Sequence, residues 1–454
     1  MKLWKLGALA ATAAIVFAAC SSSATTAPSA APATAAPATA APATAAPASA
    51  APASAAAATC TGTLMIGTEF PMSGGETANG EPAANGVKLL IDQINKAGGI
   101  NGCQLEINVQ DDAVNGVHDP QQGAKNLQTL VAEPKVIGVV GPYNSGVAKA
   151  EIPISNEAGL LMCSPANTNN GVTQPPEGDT YRTAKPDKIS YIRTATTDSI
   201  QGPSMADYMY NDLGAKSVYI IDDTETFGVG VGDSFEAEFK KLGGTVVKRD
   251  SAPKSTSDYT PLFTAVAGQK PAGVYLAGTT PSGMGLALKQ GRTVPGFETI
   301  PFGGPDGIAD LVPGGGEGAT LTVAGDAAHD VYGTVGAVHD IPNPAAFADA
   351  YKAMFGKDPG AYSAPSYSCA QVIVAAAKMA MEAGDTDLAI LREGVRANAT
   401  NTANTFDTAM GTLSFDKYGD NTHPFISFYK TDLTTTPSSW VFVKQQEFTN
   451  PNAP

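Results

Sequence analysis

Val136-Ile137-Gly138-Val139-Val140, followed at once by Gly141-Pro142-Tyr143-Asn144-Ser145-Gly146, is the stretch from which the fold is read. An unbroken apolar run of five bounded by turn residues is the pattern of a strand buried on both faces, and the loop leads into residues 147–158, which read as a helix. Towards the N-terminus, Leu64-Met65-Ile66-Gly67 is another such run. Val87, Leu90, Ile91 and Ile94 follow at helical spacing, with Pro82 near the start and Gly98-Gly99 as the stop. Leu105, Ile107 and Val109 alternate over 104–110 as in a strand, and residues 120–132 read as a helix. Beyond the quoted stretch, Leu160-Leu161-Met162 reads as the next strand. Strand and helix in alternation imply crossover helices and parallel strands, hence a doubly wound α/β sheet.

The rhythm then restarts. Helices are expected over 203–213, 231–242, 258–267 and 282–291, and strands over Ser217–Ile221, Thr245–Lys248, Gly273–Ala277 and near 299–303. Alanine-rich helices follow over 344–397, and the end reads as strands at Leu413–Phe415, Phe425–Tyr429 and Trp440–Val443. The expectation is two α/β lobes between which the chain recrosses: residues 60–196 with 338–410, and 197–337 with 411–454. A length of 454 residues agrees with two or three domains at about 150 residues each.

The net charge is −15, from 43 acids against 28 bases, and no basic run interrupts the chain. That balance excludes nucleic acid as the main partner, because phosphate binding needs a clustered basic surface. Lys2 and Lys5 precede an apolar stretch from Leu6 to Ala19 that is shorter than the roughly 20 residues of a membrane span. Residues 1–19 are expected to be a signal peptide. Phe17-Ala18-Ala19-Cys20 resembles a bacterial lipobox, which implies acylation at Cys20 and an extracytoplasmic protein held to the cell membrane by lipid alone. Residues 20–59 are expected to be a disordered tether, since 24–58 are almost wholly Ala, Pro, Thr and Ser, with a proline at 32, 37, 42, 47 and 52.

Cys60 precedes the first strand and Cys103 the second, so adjacent parallel strands bring them together as a disulfide. Cys163 and Cys369 lie in apolar surroundings, where a second bridge and two small buried hydrophobes are both open. No CxxC spacing and only four scattered histidines leave no metal centre to expect.

Ligands of open α/β sheets bind beyond the carboxyl ends of the strands. Three loops at such ends, Phe70 to Gly75, Gly141 to Gly146 and Ser164 to Asn169, are rich in small and hydroxylic residues and almost free of charge. Exposed N–H groups and hydroxyls of this kind suit a carboxylate or another small anion. The glycines of Phe227-Gly228-Val229-Gly230-Val231-Gly232 are spaced GxGxG, not the GxGxxG of a dinucleotide turn. No GxSxG elbow, HExxH helix or Walker loop is present, and Asp111-Asp112 at a strand end reads as structural. Neither a catalytic group nor a cofactor is expected.

In order and spacing, several segments together resemble one family. They are Pro71-Met72-Ser73-Gly74, DQINKAGGING from Asp92 to Gly102, Asp111-Asp112, Gly141 through Ser145, GLLMCSPANT from Gly159 to Thr168, Gln201-Gly202-Pro203 and Gly304-Pro305-Asp306-Gly307. Over about residues 63–443 the chain resembles the extracytoplasmic substrate-binding proteins of branched-chain amino-acid ABC transporters, the leucine/isoleucine/valine-binding type. The resemblance implies a type I periplasmic binding fold, with two doubly wound lobes joined by a three-stranded hinge, an amino acid held between them, and a permease as partner. It implies that Ser145 hydrogen-bonds the ligand carboxylate and that Ala166, through its carbonyl, and Thr168, through its hydroxyl, contact the amino and carboxyl groups. Asp306 stands where the family has a glutamate for the ammonium, Phe227 at an aromatic wall, and Tyr362 near the side-chain pocket. Asn79 and Thr279 replace aromatic residues over that pocket, and Tyr143 is placed to fill part of the space. The ligand implied is therefore an amino acid that is branched-chain or related, polar or larger, or a small amide. The same fold also serves as the sensing domain of receptors, which is the alternative role.

Overall fold

The expected alternation of apolar strands and amphipathic helices is realised twice. The computed structural model describes Cys60 and residues 62–312, 314–385 and 387–453. The expected signal peptide, the acylated Cys20 and the tether lie outside the described residues.

The chain begins with β1 (Thr63–Phe70), α1 (Thr77–Lys96) and β2 (Gln104–Asp111), then makes a small hairpin of β3 (Ala113–Val114) and β4 (Val117–His118). It continues through α2 (Pro120–Ala132), β5 (Val136–Val140), α3 (Ser145–Ala158), β6 (Met162–Ser164), a single turn α4 (Glu177–Thr180) and β7 (Tyr191–Arg193). These strands form a parallel sheet in the order β2-β1-β5-β6-β7. Every residue of β5 is buried because helices cover both faces. Val136 and Val139 pack with Leu127, Leu130 and Ile152 of α2 and α3. Ile137 and Val140 join a larger core with Val87, Leu90 and Ile91 of α1.

The second series runs α5 (Asp198–Asp207), β8 (Ser217–Asp222), α6 (Thr226–Lys241), β9 (Thr245–Ser251), α7 (Thr260–Ala267), β10 (Gly273–Ala277), α8 (Gly285–Gly291), β11 (Phe302–Gly304), α9 (Thr320–Ala324) and β12 (Val331–Val335). The chain then returns to the first lobe with α10 (Pro344–Phe355), α11 (Ser363–Glu382), α12 (Leu388–Ala399) and the small pair β13 (Phe406–Thr408) and β14 (Gly411–Leu413). It ends on β15 (Phe425–Asp432) and β16 (Ser439–Glu447). The second sheet has the order β16-β15-β12-β11-β10-β8-β9. Its period of two is plain in β8, where Tyr219 and Ile221 face the α7–α8 side while Val218 and Ile220 face α5 and α6.

Four details depart from the sequence reading. The second sheet is mixed, with β15 and β16 antiparallel at one edge. Strands β7 and β12, which carry the chain into and out of the second lobe, were not expected. The helix expected from 203 begins at Asp198, whose N–H donates to the Thr168 carbonyl at 2.8 Å. Pro203 therefore sits inside the helix and not at its first turn. The last return to the second lobe comes later than 410/411, because Leu413 and Phe415 still lie in the first core.

The chain passes between the sheets three times, over 194–197, 336–343 and 416–424. These passages are tied to one another. Thr196 N–H donates to the Gly336 carbonyl at 2.8 Å, its hydroxyl donates to the Phe425 carbonyl at 2.6 Å, and Arg193 Nε lies 2.7 Å from Asp420 Oδ1. Cys60 is paired with Cys103, as expected, at a Cα separation of 5.1 Å. Cys163 is paired with Cys369 at 5.5 Å, which settles the open alternative in favour of a second bridge, joining β6 to α11. Among the described residues no helix is long and apolar enough to cross a membrane.

Candidate functional site

Each loop expected to bind lies at the carboxyl end of a strand of the first sheet, and three strand ends of the second sheet face them. After β5 the chain presents Tyr143 and Asn144, and Ser145 opens α3. After β6 it presents Ala166, Asn167 and Thr168. The side chain of Ser164 shapes this turn, accepting from the N–H groups of Asn167 at 3.0 Å and Ala166 at 3.3 Å and donating to the Pro142 carbonyl at 2.7 Å. Arg193 Nη1 donates to the carbonyls of Asn167 at 3.2 Å and Asn169 at 2.8 Å. Thr168 is thus held from both sides by a wholly buried guanidinium that also pairs with the third crossover.

From the second lobe come Phe227 on α6, Thr279 after β10 and Asp306 after β11. Tyr143, Asn144, Ser145, Ala166, Phe227, Thr279, Asp306 and Gly307 line one common cavity of about 20 Å³. That is room for roughly one water, so a larger solute enters only when the lobes part. The lobes are in contact around it. Asn169 Nδ2 donates to the Thr226 carbonyl at 3.0 Å, and Lys254 Nζ to the His118 carbonyl at 3.4 Å.

Asp306 is the only acid in that lining. Gln201 Nε2 donates to Oδ1 at 2.7 Å and the Tyr362 hydroxyl donates to Oδ2. Burial pushes its pKa up to about 7, while these donors and its neighbouring backbone N–H groups pull it back. Tyr362 belongs to the first lobe and packs edge-on against Tyr143 at 5.5 Å. Behind the cavity lies Asp198, buried with neither carboxylate oxygen hydrogen-bonded, and burial and the charge of Asp306 raise its pKa well above the carboxylate range. Thr168 Oγ1, Asn144 Oδ1 and Gln201 Oε1 are likewise buried without a partner. Buried polar atoms of this kind are costly unless a further group meets them.

Of the nine residues expected at the site, Tyr143, Ser145, Ala166, Phe227, Thr279 and Asp306 line the cavity, and Tyr362 reaches it through Asp306. Thr168 stands just behind, its carbonyl bonded to Asp198 N–H. Asn79 is not in this lining; its amide donates to Glu76 Oε2 at 3.1 Å. Asn144, which lines the cavity, Gln201, which bonds Asp306, and Asp198, buried behind it, carry no role in the sequence reading. Their contacts are made across long stretches of chain, Gln201 with Asp306 across 105 residues, and leave no local signal.

The Periplasmic binding protein family matches residues 63–431. The chain is 30% identical, over 79% of its length and 87% of the relative, to a leucine-, isoleucine-, valine-, threonine- and alanine-binding protein of Pseudomonas aeruginosa. A leucine-binding protein from Thermotoga maritima superposes with a TM-score of 0.69 at 24% identity, covering 86% of this chain and 99% of the other. A branched-chain amino-acid transporter substrate-binding protein from Streptococcus pneumoniae, in complex with isoleucine, gives 0.68 at 24% identity, over 84% and 100%. The chain belongs to the periplasmic binding protein family, a family that holds solutes and does not transform them.

Proposed function

We propose that this protein captures an amino acid between its two lobes, outside the cytoplasm, and delivers it to the permease of an ABC transporter while anchored to the membrane through a lipid on Cys20. One observation carries the ligand class. A single buried carboxylate, Asp306, enters the cavity from the second lobe, while Ser145 and the loop bearing Ala166 and Thr168 meet it from the first. A zwitterion leaving water needs its two charges met at opposite ends. Hydroxyls and the N-terminus of α3 suit the carboxylate, and Asp306 suits the ammonium. A solute gripped by both lobes stabilises the closed arrangement over the open one by its extra contacts there.

The test is a thermal-shift screen of the purified protein against the twenty L-amino acids. A ligand of the native state raises Tm, and Asp306→Ala is expected to abolish that rise. An unchanged rise removes Asp306 from the site. Membrane pulldown separates the two roles: capture of a transporter permease supports uptake, and capture of a receptor or kinase supports sensing. Incorporation of a radiolabelled fatty acid, lost in Cys20→Ala, tests the anchor.

A further inference from the structure

Beyond the Asp306 turn, the loop after β11 runs against the first lobe. Ala309 and Leu311 follow a strand of the second sheet, yet Ala309 lies in the first core and Leu311 packs against it. Leu311 has φ +57°, the left-handed conformation that a bulky side chain rarely adopts. Strain of this kind persists only where the surroundings hold it. Here they do so from both lobes. Within the second lobe, the Asp310 carboxylate accepts from the N–H of Val312 at 3.1 Å and from that of Thr320 at 2.8 Å, which ties the two ends of the loop together. The Gly314 N–H donates to the Ser438 carbonyl at 2.8 Å. Towards the first lobe, the Asp310 carbonyl accepts from the N–H of Ala361, the residue before Tyr362, at 3.2 Å.

The far end of the loop meets the first lobe backbone on backbone. A Cβ on Gly318 would overlap the carbonyl oxygen of Gly75, so only a residue without a side chain admits this approach, and Gly318 is itself left-handed at φ +79°. The turn that carries Gly75 is backed by the β3–β4 hairpin: a Cβ on Gly74 would stand 2.5 Å from the Cα of Gly116. One loop of the second lobe thus touches the first through a side chain, a carbonyl and a glycine. None of Asp310, Leu311 and Gly318 lines the solute cavity.

From this arrangement we infer that the loop after β11 is a closure latch: Leu311, the Asp310 carbonyl and Gly318 hold the lobes together by contacts of the protein alone, and so set how tightly a solute is kept without touching it. These contacts join the two lobes, so they exist in the closed arrangement and are lost in the open one, where Leu311 gives up its packing to water. They therefore shift the open–closed equilibrium by their full strength. Apparent affinity is the intrinsic affinity scaled by the population of the closed state, so a weakened latch raises Kd for every solute by the same factor. Asp310 follows Asp306 by four residues, which puts the latch and the acid of the cavity on one segment. The inference holds for whichever solute the cleft takes and does not depend on the amino-acid reading.

The experiment is hydrogen exchange of the full chain, read by mass spectrometry at the peptide spanning Ala361, with and without an equimolar mixture of the twenty L-amino acids. The Ala361 amide has its acceptor in the other lobe, so its protection reports the latch. Val139, whose amide donates to the Leu161 carbonyl inside the first sheet, is the control. Leu311→Gly removes the side chain and suits the left-handed backbone, so Tm should change little while Ala361 exchanges roughly tenfold faster, the scale of half a leucine side chain's burial. Gly318→Ala, whose Cβ wedges against Gly75, is expected to speed Ala361 likewise, with Val139 unchanged in both variants. The mixture is expected to slow Ala361 in the parent and to slow it less in the variants. Ala361 exchange within about twofold of the parent in both variants overturns the latch. Val139 speeded as much as Ala361 in both overturns it too, because the loop then supports the fold and not the closure. If Leu311→Gly alone speeds Val139, Gly318→Ala decides. A mixture without effect on any of the three proteins, with Ala361 still faster in the variants, overturns the amino-acid reading and leaves the latch standing.

Discussion

The hydroxyl of Tyr362 donates to Oδ2 of Asp306, and the two residues belong to different lobes: Tyr362 lies in the first core, while Asp306 follows a strand of the second sheet. This bond closes the cleft from behind and charges the site at the same time. It favours the ionised form of a carboxylate that burial pushes towards neutrality.

Tyr362→Phe is therefore expected to weaken binding of whichever amino acid the screen identifies. A hydrogen bond to a charged group contributes about 1.5–3 kcal/mol, so Kd should rise roughly tenfold to a hundredfold. Titration calorimetry reads the change directly, and a Kd within twofold of the parent shows that the bond is not coupled to binding.

Binding should also depend on pH through Asp306. In the closed, empty arrangement burial raises its pKa to about 7, above the ordinary carboxylate value. Below about 7 the site holds a proton that the ligand ammonium must displace, so affinity falls as pH drops, approaching tenfold per unit. Above pH 7 the profile is flat until the ligand amine itself titrates. Calorimetry from pH 5.5 to 8.5, with the same series on Asp306→Asn, separates this group from the rest, because the variant lacks the step.

A second set of acids sets the pH dependence of stability. Glu69, Asp112 and Glu151 are fully buried beside one another under the first sheet, and five of their six oxygens have no hydrogen-bond donor. Burial raises all three, Glu69 to about 7, and their mutual repulsion adds for Asp112 and Glu151. A carboxyl whose folded pKa is raised contributes its full stability below the unfolded value and loses it as pH climbs through the folded one. Tm is thus expected to decline from about pH 5 to pH 8. Glu151→Gln should raise Tm at pH 8 by roughly 2 °C or more and change little at pH 5. Differential scanning calorimetry at the two pH values decides it, and a lower Tm for the variant at pH 8 rejects the account.

Much of this was legible in the chain itself. The apolar runs at Leu64–Gly67, Val136–Val140 and Gly273–Ala277 are strands because they are flanked by helical spacing and turn residues, which is local information. The Cys60–Cys103 bridge followed from the parallel neighbours β1 and β2. Boundaries were less legible. Asp198 starts its helix because a carbonyl from another loop receives its N–H, and Leu413 stays in the first core because α11 lies beneath it. Ser145, Ala166, Thr168, Asp306 and Asn79 were all placed by resemblance to a family; the first two and Asp306 line the cavity, Thr168 stands behind it, and Asn79 bonds Glu76 instead.

The sequence by itself determined the alternation of strand and helix that builds two α/β lobes and the loops at their strand ends, because periodicity and turn chemistry act over a few residues. Only the tertiary structure decided that Tyr362 and Gln201 hold Asp306, that Arg193 braces the loop of Thr168, and that His118 pairs with Glu76. Those contacts join residues 24 to 105 positions apart, and burial sets the charges of several of them. Neither that proximity nor that loss of solvent is written in any local run of residues.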